Sequence, residues 1–233
     1  MNVAIVHPPA ARVELISWPL SPCETLVKVC SVFQGENVLP TDSAGAMRIA
    51  VNEVLLQLQD TALQGPLEML NFTFLITRVT RAFTHQLVRY RIGTSFAQES
   101  LRFTKKLDCE VLATTDHPSY AEAIGNTMAN YEQMLEQGVP VQDARGVLPT
   151  NILTKIYMTA SFRTLQNMYQ QRMCTQAQHG EWETVLQQVK GCIADVDPRL
   201  AELLKMSCER EDGKCIFKST WDRPCPFRDR LPK

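Results

Sequence analysis

The chain has 233 residues, 45% hydrophobic and 21% charged, which is enough for one large domain with a sizeable core. Lysine and arginine number 24 against 25 acidic residues, so no bulk charge draws the protein to duplex DNA or to a membrane surface, and no nucleic-acid partner is expected. No apolar run reaches the ~18 residues that suggest a membrane span, and residues 1–10 hold two prolines and no cationic leader, so a cytoplasmic protein is expected.

In chain order, residues 13–18 are short and rich in apolar side chains, which predicts a strand. Met47, Val51, Val54, Leu55 and Leu58 share one face of a helix over 44–58, with Asp42 or Ser43 as its cap. Phe72, Phe74 and Ile76 alternate with Thr73 and Thr77, the two-residue period of a strand over 71–79. A helix is predicted over 80–91, with Phe83, Leu87 and Tyr90 on one stripe. Residues 92–106 have no clear period and are expected to form a loop running into a strand. Tyr120, Ile124, Met128, Tyr131 and Leu135 mark a long helix over 118–137, ended by Gly138 ahead of Pro140. Residues 151–172 are apolar and predicted helical, followed by helices near 181–190 and 198–206. Early strands followed by long helices predict an α+β fold.

The chain divides into an expected catalytic domain, 1–206, and a tail, 207–233, in which Cys, Gly, Pro and charge replace the apolar period. Cys23, Cys30, Cys109 and Cys174 are scattered singly and read as packing residues. Cys192, Cys208, Cys215 and Cys225 cluster toward the C-terminus but contain no Cys-x-x-Cys pair, so no metal is expected there.

The segment from Gln86 to Phe103 carries the chemistry. Arg89, Arg91 and Arg102 fall within fourteen positions, beside Ser95, Gln98 and Ser100. Guanidinium groups present planar forks that match phosphate oxygens, and the hydroxyls and amides suit a sugar or a base edge. A solvated cationic helix end is the competing reading. It is weakened because these arginines interrupt an apolar segment, where unpaired charge is costly. A second cluster holds Arg163 and Asn167, four apart on one helix face, then Arg172 and Gln178; Arg145 is a third candidate.

These segments resemble the flavin-dependent thymidylate synthases of the ThyX type. Arg89-Tyr90-Arg91, followed by Ser100 and Arg102-Phe103, is similar to the family's Arg-His-Arg signature, and Gln86 stands where the family has a glutamine. Gly65-Pro-Leu-Glu68, Leu148-Pro-Thr-Asn151, Arg163-Thr-Leu-Gln-Asn167, Arg172 and Ala177-Gln178 follow in the family's order. The resemblance implies a twisted, mainly antiparallel sheet with packed helices. It also implies a homotetramer with shared active sites, FAD as cofactor, and NADPH, methylenetetrahydrofolate and dUMP as co-substrates and substrate. By the same resemblance, Glu68, Arg89, Tyr90, Arg91, Arg163 and Asn167 contact the flavin. Gln86, Gln98, Ser100, Leu101, Arg102, Arg145 and Arg172 hold dUMP, with Arg172 catalytic at the uracil edge.

The sequence departs from that pattern at several places. Tyr90 replaces the signature histidine, eight residues rather than the usual seven separate Arg91 from Ser100, and no histidine stands near Ala62. Two other classes fit the same arginines: a pyrimidine nucleotide hydroxymethylase on the same scaffold, and a non-catalytic nucleotide- or RNA-binding protein.

Overall fold

The computed structural model describes residues 4–33, 35, 44–60, 64–174 and 180–209. Its fold is α+β. Strand β1 (Ala4–Val6) pairs in parallel with β5 (Glu110–Leu112). The main sheet is antiparallel throughout, with β2 (Arg12–Ser17), β3 (Asn71–Thr80), β6 (Leu153–Ser161) and β4 (Thr94–Gln98) in the order β2-β3-β6-β4.

Side-chain alternation sets the two faces of this sheet. Phe72, Phe74 and Ile76 of β3 and Ile156, Met158 and Ala160 of β6 point into the main core. They meet the buried faces of α1 (Pro22–Phe33), α2 (Ala44–Asp60), α6 (Phe162–Arg172) and α7 (Glu181–Val196). On the opposite face Thr73 and Thr159 share a hydroxyl hydrogen bond of 2.9 Å, while Ser95, Ala97, Lys155 and Tyr157 remain exposed. A smaller core gathers Val111, Ile152 and Ala144 of α5 (Val141–Ala144) against Ile124, Met128 and Tyr131 of α4 (Pro118–Glu136). Among the described residues no helix is long and apolar enough to cross a membrane.

The helix expected over 151–172 is instead a strand followed by a helix. Ile156, Met158 and Ala160 alternate with Lys155, Tyr157 and Thr159, and β6 is central, paired on both sides by β3 and β4. Ser161 ends it and caps α6, its side chain accepting from the Thr164 backbone N–H. The helix expected over 80–91 is the shorter α3 (Arg81–Leu87), and the loop after it contains Gly93 at φ +67°. In the next segment the strand comes first, at β4, and the loop follows. Helix α1 and the short strands β1 and β5 add to the elements expected from the sequence. Cys192 lies in α7, packed against the main core, and so belongs to the folded domain and not to a tail. Cys23 and Cys109 are buried, as expected of packing residues. The proposed cap Asp42 or Ser43, and Cys215 and Cys225, lie outside the described residues.

Candidate functional site

Three junctions build the site. The first is the passage from β3 into α3 (Arg81–Leu87). Thr80 caps this helix by accepting from the Phe83 backbone N–H at 2.9 Å. Thr80 also donates from its backbone N–H and its hydroxyl to the two carboxylate oxygens of Glu181, each at 2.6 Å. This tie fixes the start of α7, and with it Trp182, beside the turn that carries Tyr90. Burial pushes the Glu181 carboxyl above its ordinary range, although both hydrogen bonds from Thr80 act the other way.

The second junction is the loop from α3 to β4. Gly93 approaches the start of α6 so closely that a Cβ would stand 2.6 Å from the Thr164 hydroxyl and 2.7 Å from that of Ser161. The Thr164 hydroxyl donates to the Ile92 carbonyl at 2.8 Å, and the Thr94 hydroxyl donates to the Tyr90 carbonyl. The loop that follows Arg89, Tyr90 and Arg91 is thereby tied to the start of α6.

The third junction is α6 itself. Phe162, Leu165, Met168 and Tyr169 are buried, which turns Arg163, Asn167, Gln171 and Arg172 toward the loop. A cavity of about 1110 Å³ opens between loop and helix. Glu68, Arg89, Tyr90, Arg91, Arg163 and Asn167, the six residues that the resemblance assigns to a flavin, all line it. Glu68 and Arg163 form an ion pair across one wall.

A second cavity of about 480 Å³ adjoins the first and is lined by Gln86, Arg89, Tyr90, Gln171 and Arg172. Arg89, Tyr90 and Gln171 are walls of both. Here Arg172 donates from Nε to the Tyr90 hydroxyl at 3.0 Å, and its guanidinium lies 4.9 Å from the Trp182 ring centroid and 5.8 Å from that of Tyr90. The Trp182 indole N–H donates to Gln86 Oε1 at 2.9 Å.

The remaining substrate candidates sit elsewhere. Gln98 donates to the Thr84 hydroxyl at 2.7 Å, Leu101 is buried, and Ser100 accepts from the Arg102 backbone N–H. The Arg102 guanidinium lies 5.7 Å from the Phe103 ring, and Arg145 donates to the Gln142 carbonyl at 3.0 Å. None of these five lines either cavity within one chain. Beside Arg145 stands Arg81, whose guanidinium is made easier to deprotonate by burial and then by the Arg145 charge. Sequence reasoning missed Arg81, Gln171, Trp182 and Glu181. Arg81 and Gln171 are adjacent to the motifs, but Trp182 and Glu181 meet their partners across 96 and 101 residues, with no local pattern to mark the contact. Ala177 and Gln178 lie outside the described residues, and among those described no three His, Cys, Asp or Glu side chains group as metal ligands would.

The family model described as thymidylate synthase complementing protein matches residues 15–199. The chain is 34% identical to a flavin-dependent thymidylate synthase from Saccharolobus solfataricus over 67% of its own length and 64% of that protein, so it spans a little under two thirds of that relative. It is 30% identical to a protein of the same name from Clostridium tetani, over 71% of this chain and 74% of that one. A further such protein, from Pyrococcus furiosus, is 29% identical over 95% of this chain and 91% of its own length. Among solved structures, a UMP/dUMP methylase from Streptomyces cacaoi bound with 5-Br dUMP superposes with a TM-score of 0.69 over 87% of this chain and 96% of that one, at 20% identity, a likeness of fold. A match over residues 15–199 takes in β3, β6, β4 and the second half of β2 together with both walls of the paired cavities, and the chain belongs to the thymidylate synthase complementing protein family.

Proposed function

We propose that this chain is a flavin-dependent thymidylate synthase that methylates dUMP at C5 in the cytoplasm, with FAD as cofactor and methylenetetrahydrofolate and NADPH as co-substrates. One observation carries the reading: a large arginine-lined cavity opens directly beside a smaller one that holds Arg172, with Arg89, Tyr90 and Gln171 common to both. That arrangement suits a cofactor and a nucleotide lying against each other.

The larger cavity fits FAD by its chemistry. Arg89, Arg91 and Arg163 supply three guanidinium groups, a donor set suited to a pyrophosphate. Asn167 supplies amide donors and acceptors for a polar ring. At about 1110 Å³ the cavity is slightly larger than the roughly 300–1,000 Å³ typical of small-molecule sites, as suits a dinucleotide. When bound, a flavin supplies the hydride and mediates the one-carbon transfer.

Arg172 holds a fixed positive charge beside the smaller cavity. Placed at the N3 and O4 edge of uracil, it stabilises negative charge on the ring and makes C5 more nucleophilic. Among the described residues no cysteine lines either cavity. Gln98, Ser100, Leu101, Arg102 and Arg145 complete the nucleotide site from a neighbouring subunit of a homotetramer. Their absence from the cavity walls of their own chain and the exposed residues on the outer face of the sheet both support that assembly.

The test is a visible spectrum of the purified protein, followed by the mass of the nucleotide formed from dUMP, methylenetetrahydrofolate and NADPH. Flavin bands and a product heavier by one methyl group are expected. A hydroxymethyl product, or protein with neither flavin nor turnover when FAD is supplied, overturns the reading.

A further inference from the structure

Tyr90 stands where the family signature has histidine, and its hydroxyl is the meeting point of a continuous hydrogen-bond chain. Gln171 donates from Nε2 to Asn167 Oδ1 at 2.7 Å, the Tyr90 hydroxyl donates to Gln171 Oε1 at 3.0 Å, and Arg172 Nε donates to the Tyr90 oxygen at 3.0 Å. Every donor in this series faces an acceptor. The chain begins at Asn167, on the wall of the larger cavity, and ends at Arg172, on the wall of the smaller one.

A guanidinium on a flexible stem would otherwise sample many orientations, each costing entropy to fix at the moment of reaction. Here three contacts restrict it: the Nε hydrogen bond and the faces of Tyr90 and Trp182. Trp182 is itself held by Gln86. Because Nε is engaged by Tyr90, the terminal nitrogens are the part of Arg172 left to meet a nucleotide.

We infer that Tyr90 is a positioning residue for Arg172, and that the Asn167–Gln171–Tyr90–Arg172 chain transmits occupancy of the cofactor cavity to the orientation of the guanidinium in the nucleotide cavity. This rests on the proposed activity and assigns Tyr90 a task beyond contact with the flavin. The consequence is cooperativity between ligands: cofactor that engages Asn167 stiffens the chain, and the nucleotide then meets a preset Arg172.

The experiment compares the parent with Tyr90→Phe and Tyr90→His. Phenylalanine keeps the ring beneath the guanidinium and removes the hydroxyl at the centre of the chain. Flavin content should remain parental, kcat should fall roughly tenfold or more, the range for losing a hydrogen bond to a charged group, and dUMP should bind with less dependence on added FAD in calorimetry. Histidine can accept from Arg172 when neutral but not when protonated. Tyr90→His should therefore recover activity at high pH and lose it below about 6.5, the ordinary imidazole value. Parental kcat and parental FAD–dUMP coupling in Tyr90→Phe would overturn the inference, as would loss of flavin from that variant, which would place Tyr90's main role in the cofactor cavity. If the parent makes no thymidylate, the functional reading fails, and the calorimetry still decides the inference: coupling lost in Tyr90→Phe upholds it, and coupling unchanged or absent from the parent sinks it.

Discussion

Replacing Arg172 with alanine removes a guanidinium that both lines the smaller cavity and stacks over two aromatic rings. The structural cost should be small. The side chain is half-buried, the cavity admits water to its place, and cation–π contacts at accessible sites contribute about 0.5–1 kcal/mol each. The Tyr90 hydroxyl loses a donor, not an acceptor, and still donates to Gln171. The cost to the reaction should be much larger. A preorganised charge that meets negative charge developing on the substrate accounts for about 2.7–4 kcal/mol, roughly a hundred- to a thousandfold in kcat. Flavin content should remain parental, because Arg172 is no wall of the larger cavity. Arg172→Lys restores the charge without the planar fork or the Nε–H, and should recover only part of the rate. The assay is single-turnover conversion of dUMP by flavin-loaded protein, with urea midpoints and flavin absorbance as controls. A flavin-loaded Arg172→Ala protein turning over at the parental rate would refute the assignment.

Arg163→Ala removes one of three guanidinium groups from the larger cavity and leaves Glu68 without its partner; FAD affinity, followed by flavin fluorescence, should fall about tenfold or more, and an unchanged affinity would separate that cavity from the cofactor. Gly93→Ala places a Cβ against the Ser161 and Thr164 hydroxyls at a positive φ; a loss of about 1–3 kcal/mol by urea titration is expected, and parental stability would show that the loop can move aside. Glu181 titrates above its ordinary 4.5 in the fold, so its contribution to stability is fully present below that value and is lost as pH rises through the folded one; the stability of the parent relative to Glu181→Gln should therefore rise as pH falls toward 4.5, and a pH-independent difference would contradict this. Arg172→Ala and Arg102→Ala, each inactive alone, should regain activity when co-refolded if subunits share sites. Light scattering should show a tetramer, and an active monomer would exclude sharing.

Much of the candidate site is legible in the sequence because its parts are local. Arg89, Tyr90 and Arg91 are consecutive, and Arg163 and Asn167 lie four apart on one helix face, so the spacing alone predicts that these side chains can face one ligand. The period of 71–79 and that of 118–137 are equally local, and both appear as a strand and a helix with bounds close to those expected. The segment 151–172 misleads because β6 is central: paired on both sides and half enclosed, its residues include Thr154, Ile156 and Met158 in an apolar run that continues without a break into α6. A signal was present at Ser161, a capping residue at the head of a helix, but it lay inside the run. Ser21-Pro22 at the head of α1 is a similar start signal, with proline at the first helical position.

What no local pattern contains is the environment of Arg172. Its identity as a charged residue in a polar helix is visible in the sequence, and its partners Trp182 and Tyr90 are not, since each belongs to a different element. Those partners decide its chemistry. Thr80 sets the register of α7 through Glu181, α7 delivers Trp182, and the Gly93 loop delivers Tyr90, so three tertiary contacts converge on one guanidinium. A motif can therefore specify the residue types of a site while its reactivity is set by contacts spanning much of the chain. A change at Glu181 or Gly93, neither of which touches Arg172, should then act on turnover through the placement of that side chain.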